Sequence, residues 1–158
     1  MNITIIAVGK IKEKYFQDAV AEYKKRISRF GRIEIIEIPD EKIPDNAKAA
    51  VKEKIKEKEG AAIMSHIKSG TYLIALCIEG KELSSEEFAE NIAKLSMQTG
   101  HITFAIGGSL GLSDSVKNAS AQKVSFGKIT LPHQLARVVL SEQIYRAFKI
   151  NSNEAYHK

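Results

Sequence analysis

Apolar residues recur along this chain in two alternating rhythms. Residues 3–8 (ITIIAV) form an unbroken apolar run, the pattern of a strand buried on both faces. From 13 to 29 the spacing becomes helical, with Tyr15, Ala19, Val20, Tyr23 and Ile27 as one inward stripe. Residues 33–38 alternate as a strand and stop at Pro39, and 40–47 (DEKIPDNA) read as a loop. A Lys/Glu-rich amphipathic helix is predicted over 48–67, with Val51, Ile55, Ala62 and Ile63 inward. Residues 71–78 are β-branched and apolar, a third strand. Ser84-Ser85-Glu86-Glu87 starts a helix: hydroxyls cap it and acids meet its positive dipole end, with Phe88, Ile92 and Leu95 as its stripe. A strand at 102–106, a short helix at 113–118, a short strand at 123–126 and a last helix near 132–150 complete the pattern.

This alternation predicts an α/β fold, a mostly parallel sheet flanked by helices. No repeat, low-complexity tract or linker interrupts it, so residues 1–158 read as one domain, a size within the usual range. The final helix is apolar on two sides. Leu135, Val138, Val139, Tyr145 and Phe148 mark one face, and Ala136, Leu140, Ile144 and Ala147 another. Such a helix must be buried against two surfaces, and the second suggests a partner chain.

Composition narrows the class. The chain is 44% hydrophobic and 27% charged, ordinary for a globular protein. No apolar run approaches the roughly 18–20 residues that cross a bilayer, and the first apolar run lacks a preceding basic segment. With one cysteine, Cys77, neither an internal disulfide nor a cysteine zinc site is possible, and no metal site is expected. These features read as a cytoplasmic protein, with Cys77 placed in the core. Net charge is +5, and residues 120–158 supply +4 of it, with six Lys/Arg against two Asp/Glu. A concentration of that kind fits either a solvated basic face or a phosphate-binding one.

In open parallel sheets, ligands sit beyond the carboxyl ends of strands. Three exits are distinctive here: 76–80 (LCIEG), 106–111 (IGGSLG) and 126–132 (FGKITLP). Gly80 alone suits a tight turn, whereas three glycines in five residues at 107–111 suggest close approach to a ligand. The same run fits G-x-S-x-G, which would make Ser109 a hydrolase nucleophile with Asp114 and His133 or His157. Against that, the chain is short for such a fold, Asp114 follows Ser109 by only five residues, and no HGGG-type segment appears. The exit after residue 8 (GKIK) carries no G-x-G-x-x-G dinucleotide fingerprint. On the last helix, His133 and Arg137 share a face, and Glu142 can pair with Arg146.

Together, the GGSLG turn, the segment FGKITLPHQLARVVLSEQIYRAFKI and the terminal YHK resemble the RlmH (YbeA-like) family of SPOUT methyltransferases. The resemblance spans the whole chain and includes the opening ITIIAVGK, the IIEIP stretch at 35–39 and KEG at 58–60. It implies methylation of N3 of a pseudouridine in 23S ribosomal RNA, on an assembled ribosome, by a homodimer without an added RNA-binding domain. It also implies a deep C-terminal trefoil knot, which general rules of chain connection would not predict. S-adenosylmethionine would be held by Leu76, by Gly108, and by Gly127, Lys128, Ile129, Thr130, Leu131 and Pro132. One departure is Leu110, where many relatives carry an acidic or amide residue; this side chain can accept neither a proton nor a hydrogen bond.

The implied chemistry requires an imide-like N3–H to lose its proton. Within the matching segment, His133, Tyr156 and His157 are candidates for proton handling. Arg146 and Lys158 are candidates for holding phosphate or the uracil oxygens. A frayed tail is the plain alternative for the last three residues, and helix pairing is the plain alternative for Arg137 and Arg146. A tail of one subunit completing the other's site is a further expectation. A serine hydrolase and a catalytically silent RNA-binding protein stay open as other classes, and titration with S-adenosylmethionine separates all three.

Overall fold

The computed structural model describes residues 1–156. Five parallel strands lie in the order β2-β1-β4-β3-β5: β1 (Asn2–Val8), β2 (Arg32–Ile38), β3 (Tyr72–Glu82), β4 (His101–Ile106) and β5 (Gln122–Ser125). Between them run α1 (Lys14–Ile27), α2 (Ala49–Ser65), α3 (Ser85–Gln98) and α4 (Asp114–Ala119), and α5 (His133–Asn151) closes the chain. Every predicted element forms.

Sheet alternation divides the core in two. Ile3, Ile5 and Ala7 of β1 join Ile27, Phe88, Ile92, Leu140 and Ile144, placing α1, α3 and α5 on one face. Ile6 and Val8 join Ile63, Leu112 and Val116, placing α2 and α4 on the other. Buried on both faces, β1 reads as a continuous apolar run for this reason. Burying an aliphatic side chain of this size contributes about 1.5–3 kcal/mol.

Local chemistry sets several boundaries. A capping box starts α3: Ser84 Oγ accepts from Glu87 N at 3.1 Å, and Glu87 Oε2 accepts from Ser84 N at 2.7 Å. Ser113 caps α4 through Val116 N.

Four details depart from the sequence pattern. The third strand runs past residue 78 to Glu82, because its pairing with β5 slips between Leu76 and Lys81, which leaves 77–80 looped out. Gly80 is therefore a crossing point against β5, and a Cβ there would sit 2.5 Å from the Val124 backbone. Tyr15 is 68% exposed rather than inward: it lies about 140° around α1 from the buried Val20. Val51 is likewise exposed on α2, while Glu59 is buried in the same helix.

No residue of α5 from 133 to 150 is fully exposed. Ala136, Leu140, Ile144 and Ala147, one of its two apolar faces, are in the core. The second face is split. Tyr145 and Phe148 are covered within the chain, Phe148 stacking on Phe30 at 5.6 Å and Tyr145 meeting Tyr156 edge-on at 4.9 Å. Leu135, Val138 and Val139 remain half-buried. Among the described residues, no helix is long and apolar enough to cross a membrane.

Candidate active site

The exits of β3, β4 and β5 converge at the carboxyl edge of the sheet on a cavity of about 660 Å³, closed at its base by the first turn of α5. This volume falls within the roughly 300–1,000 Å³ of small-molecule sites. Each wall follows from its strand. Leu76 is the last residue paired before the register slip of β3, and 77–79 belong to the segment that the slip frees. Residues 107–111 form a tight turn after β4, held by Gly111 N donating to Gly108 O at 3.0 Å. A side chain at Gly107 would place its Cβ 2.4 Å from the Gly111 backbone, so only glycine closes this turn. Beyond β5, Gly127 sits at φ +105° and its N–H donates to Ser125 Oγ at 3.1 Å, which starts the loop to Pro132.

Of the expected cofactor residues, Leu76, Gly108, Gly127, Ile129, Thr130, Leu131 and Pro132 all line this cavity. Lys128 does not: it is exposed beside the wall. Leu110 lines it too, an apolar surface at the turn. Cys77 is in the wall rather than deep in the core. Burial, reinforced by Glu79, pushes its thiol up, which favours the protonated form. At the rim, Lys117 pairs with Glu79.

His133 is the first residue of α5 and also lines the cavity. Burial holds its imidazole below the ordinary value, and the positive charge of Arg137 one turn away adds to this, against Asp40 and Glu13. It is therefore neutral at neutral pH and able to accept a proton. Arg137 serves neither RNA nor a partner chain in this arrangement. It is 1% exposed, with Nη1 donating to Glu37 Oε2 at 2.8 Å and Nη2 donating to Gly9 O at 2.9 Å. A buried guanidinium is tolerated only with such partners.

The remaining expected catalytic residues lie elsewhere. Arg146 Nη2 donates to Glu142 Oε1 at 2.7 Å, and its guanidinium sits 4.7 Å above the Tyr156 ring. Tyr156 Oη donates to the same carboxylate at 3.3 Å. Burial, then the charge of Glu142, raises the Tyr156 phenol, which stays protonated. Glu154 pairs with Lys149 and Arg29, so the chain beyond α5 is fastened as far as Tyr156 rather than frayed. His157 and Lys158 lie outside the described residues. His133 and Arg146 are thirteen residues apart on one helix, which at 1.5 Å per residue separates them by about 20 Å along its axis. One chain therefore carries two polar clusters at opposite ends of α5.

Sequence reasoning gave no role to one residue beside the site, although it lies within the KEG stretch at 58–60. Glu59 of α2 is 6% exposed, and its carboxylate lies 3.6 Å from where a Cβ on Gly108 would stand. It accepts from Glu41 N at 3.1 Å, and burial raises its carboxyl. No local signal marks it, because a glutamate in a Lys/Glu-rich helix looks solvent-facing. Among the described residues the hydrolase arrangement does not form: Ser109 is exposed at the apex of the turn and makes no hydrogen bond to Asp114 or His133, while His157 lies outside the described residues. Among the described residues, no cluster of His, Cys, Asp and Glu could hold a metal.

Known proteins match this arrangement along its length. A family model described as "predicted SPOUT methyltransferase" matches residues 1–157. The chain is 57% identical over 160 residues to the ribosomal RNA large subunit methyltransferase H of Lactobacillus acidophilus, and 56% identical to that of Lactobacillus helveticus. It is 54% identical over 159 residues to the protein of the same name from Bacillus cytotoxicus, and each match covers 100% of both chains. The solved structure of a probable methylase family protein from Haemophilus influenzae superposes with a TM-score of 0.52 at 13% identity, over 99% of this chain and 70% of that one, a likeness of fold. The chain belongs to the SPOUT methyltransferase family.

Proposed function

We propose that this protein transfers a methyl group from S-adenosylmethionine to N3 of a pseudouridine in the large-subunit ribosomal RNA of an assembled ribosome, acting in the cytoplasm as a homodimer. The observation that carries this reading is the convergence of all three strand exits on one cavity with a neutral histidine at its base. Full-length identity to relatives named for that activity supports it.

The donor set fits the cofactor. Leu76, Ile129 and Leu131 offer apolar surface for a flat heterocycle, and the backbone of 107–111 and 127–132 offers polar groups without charge. When bound, S-adenosylmethionine supplies a methyl group already activated by its sulfonium. The protein then has to align donor and acceptor, and its glycine turn and the 127–132 loop do this. Leu110 closes the turn side against water. His133 accepts the N3 proton. In the family's knotted connection, which this reading adopts, α5 is held where the three loops enclose its first turn.

Arg146, Tyr156, His157 and Lys158 act in the site of the other subunit. The 20 Å between the two clusters, with Leu135, Val138 and Val139 half-buried between them, supports α5 packing against its copy so that each tail reaches its partner's cavity. There Arg146 and Lys158 neutralise the anion formed at the uracil oxygens, and Tyr156 and His157 complete the proton path. The test is calorimetric titration with S-adenosylmethionine, followed by methyl incorporation into ribosomes lacking the modification. One site per chain and a methylated N3 are expected; no binding of the cofactor would overturn the reading.

A further inference from the structure

Beside His133 lies a segment for which the reading so far has no use. Gly9 touches the histidine so closely that a Cβ there would stand 2.8 Å from His133 Nε2. The segment that follows is pinned from below. Gly9 N donates to Ile38 O at 2.7 Å, and Gly9 O accepts from the buried Arg137. Ile11 is 5% exposed, with its N–H donating to Glu37 Oε2 at 2.8 Å and its carbonyl accepting from Gln17 Nε2 at 2.8 Å. With residues 9 and 11 fixed, Lys10 and Lys12 are displayed outward, and neither makes an ion pair among the described residues. Lys14, by contrast, is held by Asp18 at 2.8 Å. Tyr15 follows, 68% exposed, its ring 4.6 Å from that of Phe16. On the 127–132 loop, which lines the cavity, Lys128 is also exposed and without an ion pair among the described residues.

We propose that Lys10, Lys12 and Tyr15 form a rigid RNA-gripping edge: the two lysines hold backbone phosphates beside the target nucleotide, and the tyrosine ring stacks on an unpaired neighbouring base. Lys128 holds a further phosphate. This rests on the proposed function, since it takes RNA to be the substrate. The residue types match the task. Ammonium groups hold phosphates as point charges, and single-stranded RNA is bound through aromatic rings that stack on bases. Buried Arg137, paired with Glu37 at the surface, acts as the peg of this edge, keeping it against the proton acceptor. An edge fixed before binding loses little conformational entropy when RNA docks.

Lysine and tyrosine make separable contributions, which the experiment reads apart. Methyl incorporation into unmodified ribosomes is measured against ribosome concentration at several salt concentrations. The double variant Lys10→Glu/Lys12→Glu is expected to raise KM about tenfold or more, and the slope of log(kcat/KM) against log[salt] should flatten by about one per lysine. At saturating ribosome its kcat stays within about twofold of the parent, and S-adenosylmethionine affinity is unchanged. Lys128→Glu flattens the slope by about one. Tyr15→Ala raises KM several-fold with the salt slope unchanged, because stacking releases no counterions. A photo-crosslinker at position 15 should label ribosomal RNA. Parental KM and salt slope in a double variant that binds the cofactor would overturn the proposal, as would crosslinks to ribosomal protein alone. A parent protein that fails to methylate ribosomes removes the proposed function itself, and this edge with it.

Discussion

At its first turn, α5 meets three loops that offer mostly backbone and apolar side chains; at its last turns it carries a glutamate–arginine pair stacked on a tyrosine. The first end is concave: His133 at its base is kept neutral, Cys77 stays a thiol, and the rim charges Lys117 and Glu79 are paired with each other. The second holds its charges in mutual contact at the edge of the chain. A cavity of backbone and aliphatic groups can bind and orient a cofactor, yet it has little with which to stabilise a developing negative charge. Charges at the far end can do that, but not from about 20 Å away. On the proposed function, binding and catalysis are divided between the ends of one helix, and two-fold symmetry is the simplest way to bring them together.

The comparison breaks most sharply if the tail is removed. Deleting residues 156–158 is expected to lower methylation by about a hundredfold or more, the scale of losing proton handling and charge stabilisation together. S-adenosylmethionine binding should hold within about twofold by calorimetry, since no described tail residue lines the cavity. Full methylation by that truncation would return the catalytic work to the first end. The reciprocal variant, Gly107→Ala, forces a Cβ to within 2.4 Å of the Gly111 backbone. Cofactor affinity should fall about tenfold or more, and methylation with it, while the contacts of Arg146 are untouched.

A smaller effect sharpens the account of His133. Its pKa is lowered by burial and by Arg137, so the folded protein resists charging it. The unfolded chain then binds more protons as pH falls below the ordinary imidazole value of about 6.5, and stability declines in that window. For catalysis the sign is favourable: the acid limb of kcat/KM should lie below about 6.5. Arg137→Gln removes the positive neighbour and should move that limb upward, with a stability loss of about 1–3 kcal/mol read by denaturant unfolding. An unmoved limb would mean that Arg137 serves packing alone. The smallest effect on stability is that of Tyr156→Phe, which removes the 3.3 Å bond to Glu142 and should cost about 0.5–1.5 kcal/mol in thermal unfolding, while methylation falls with the loss of a proton-path hydroxyl.

Much of the fold was legible because apolar spacing is a local signal. Strand β1 and helix α5 announce themselves by burial on all sides, and Ser84 with Glu87 writes the start of α3. The cavity was legible too, since glycines and strand exits are read within a few residues. What escaped depends on pairing across distance. Arg137 and Glu37 are a hundred residues apart, and nothing near either marks the bond. The run of β3 past Gly80 depends on its register with β5. Tyr15 and Glu59 show the limit of the apolar rule, a ring left outside and a carboxylate taken inside. Glu59 lies beside Gly108 of the glycine turn, where local preference gives way to tertiary context.

Subunit complementation addresses the division of labour along α5 most directly. His133→Ala chains are mixed with chains lacking residues 156–158, each inactive as a homodimer, and methyl incorporation into unmodified ribosomes is measured. If the tail acts across the dimer, every heterodimer contains one intact site, and random pairing restores about a quarter of parental activity. If the tail serves its own subunit, no heterodimer has an intact site, and a mixture as silent as its two components contradicts the account.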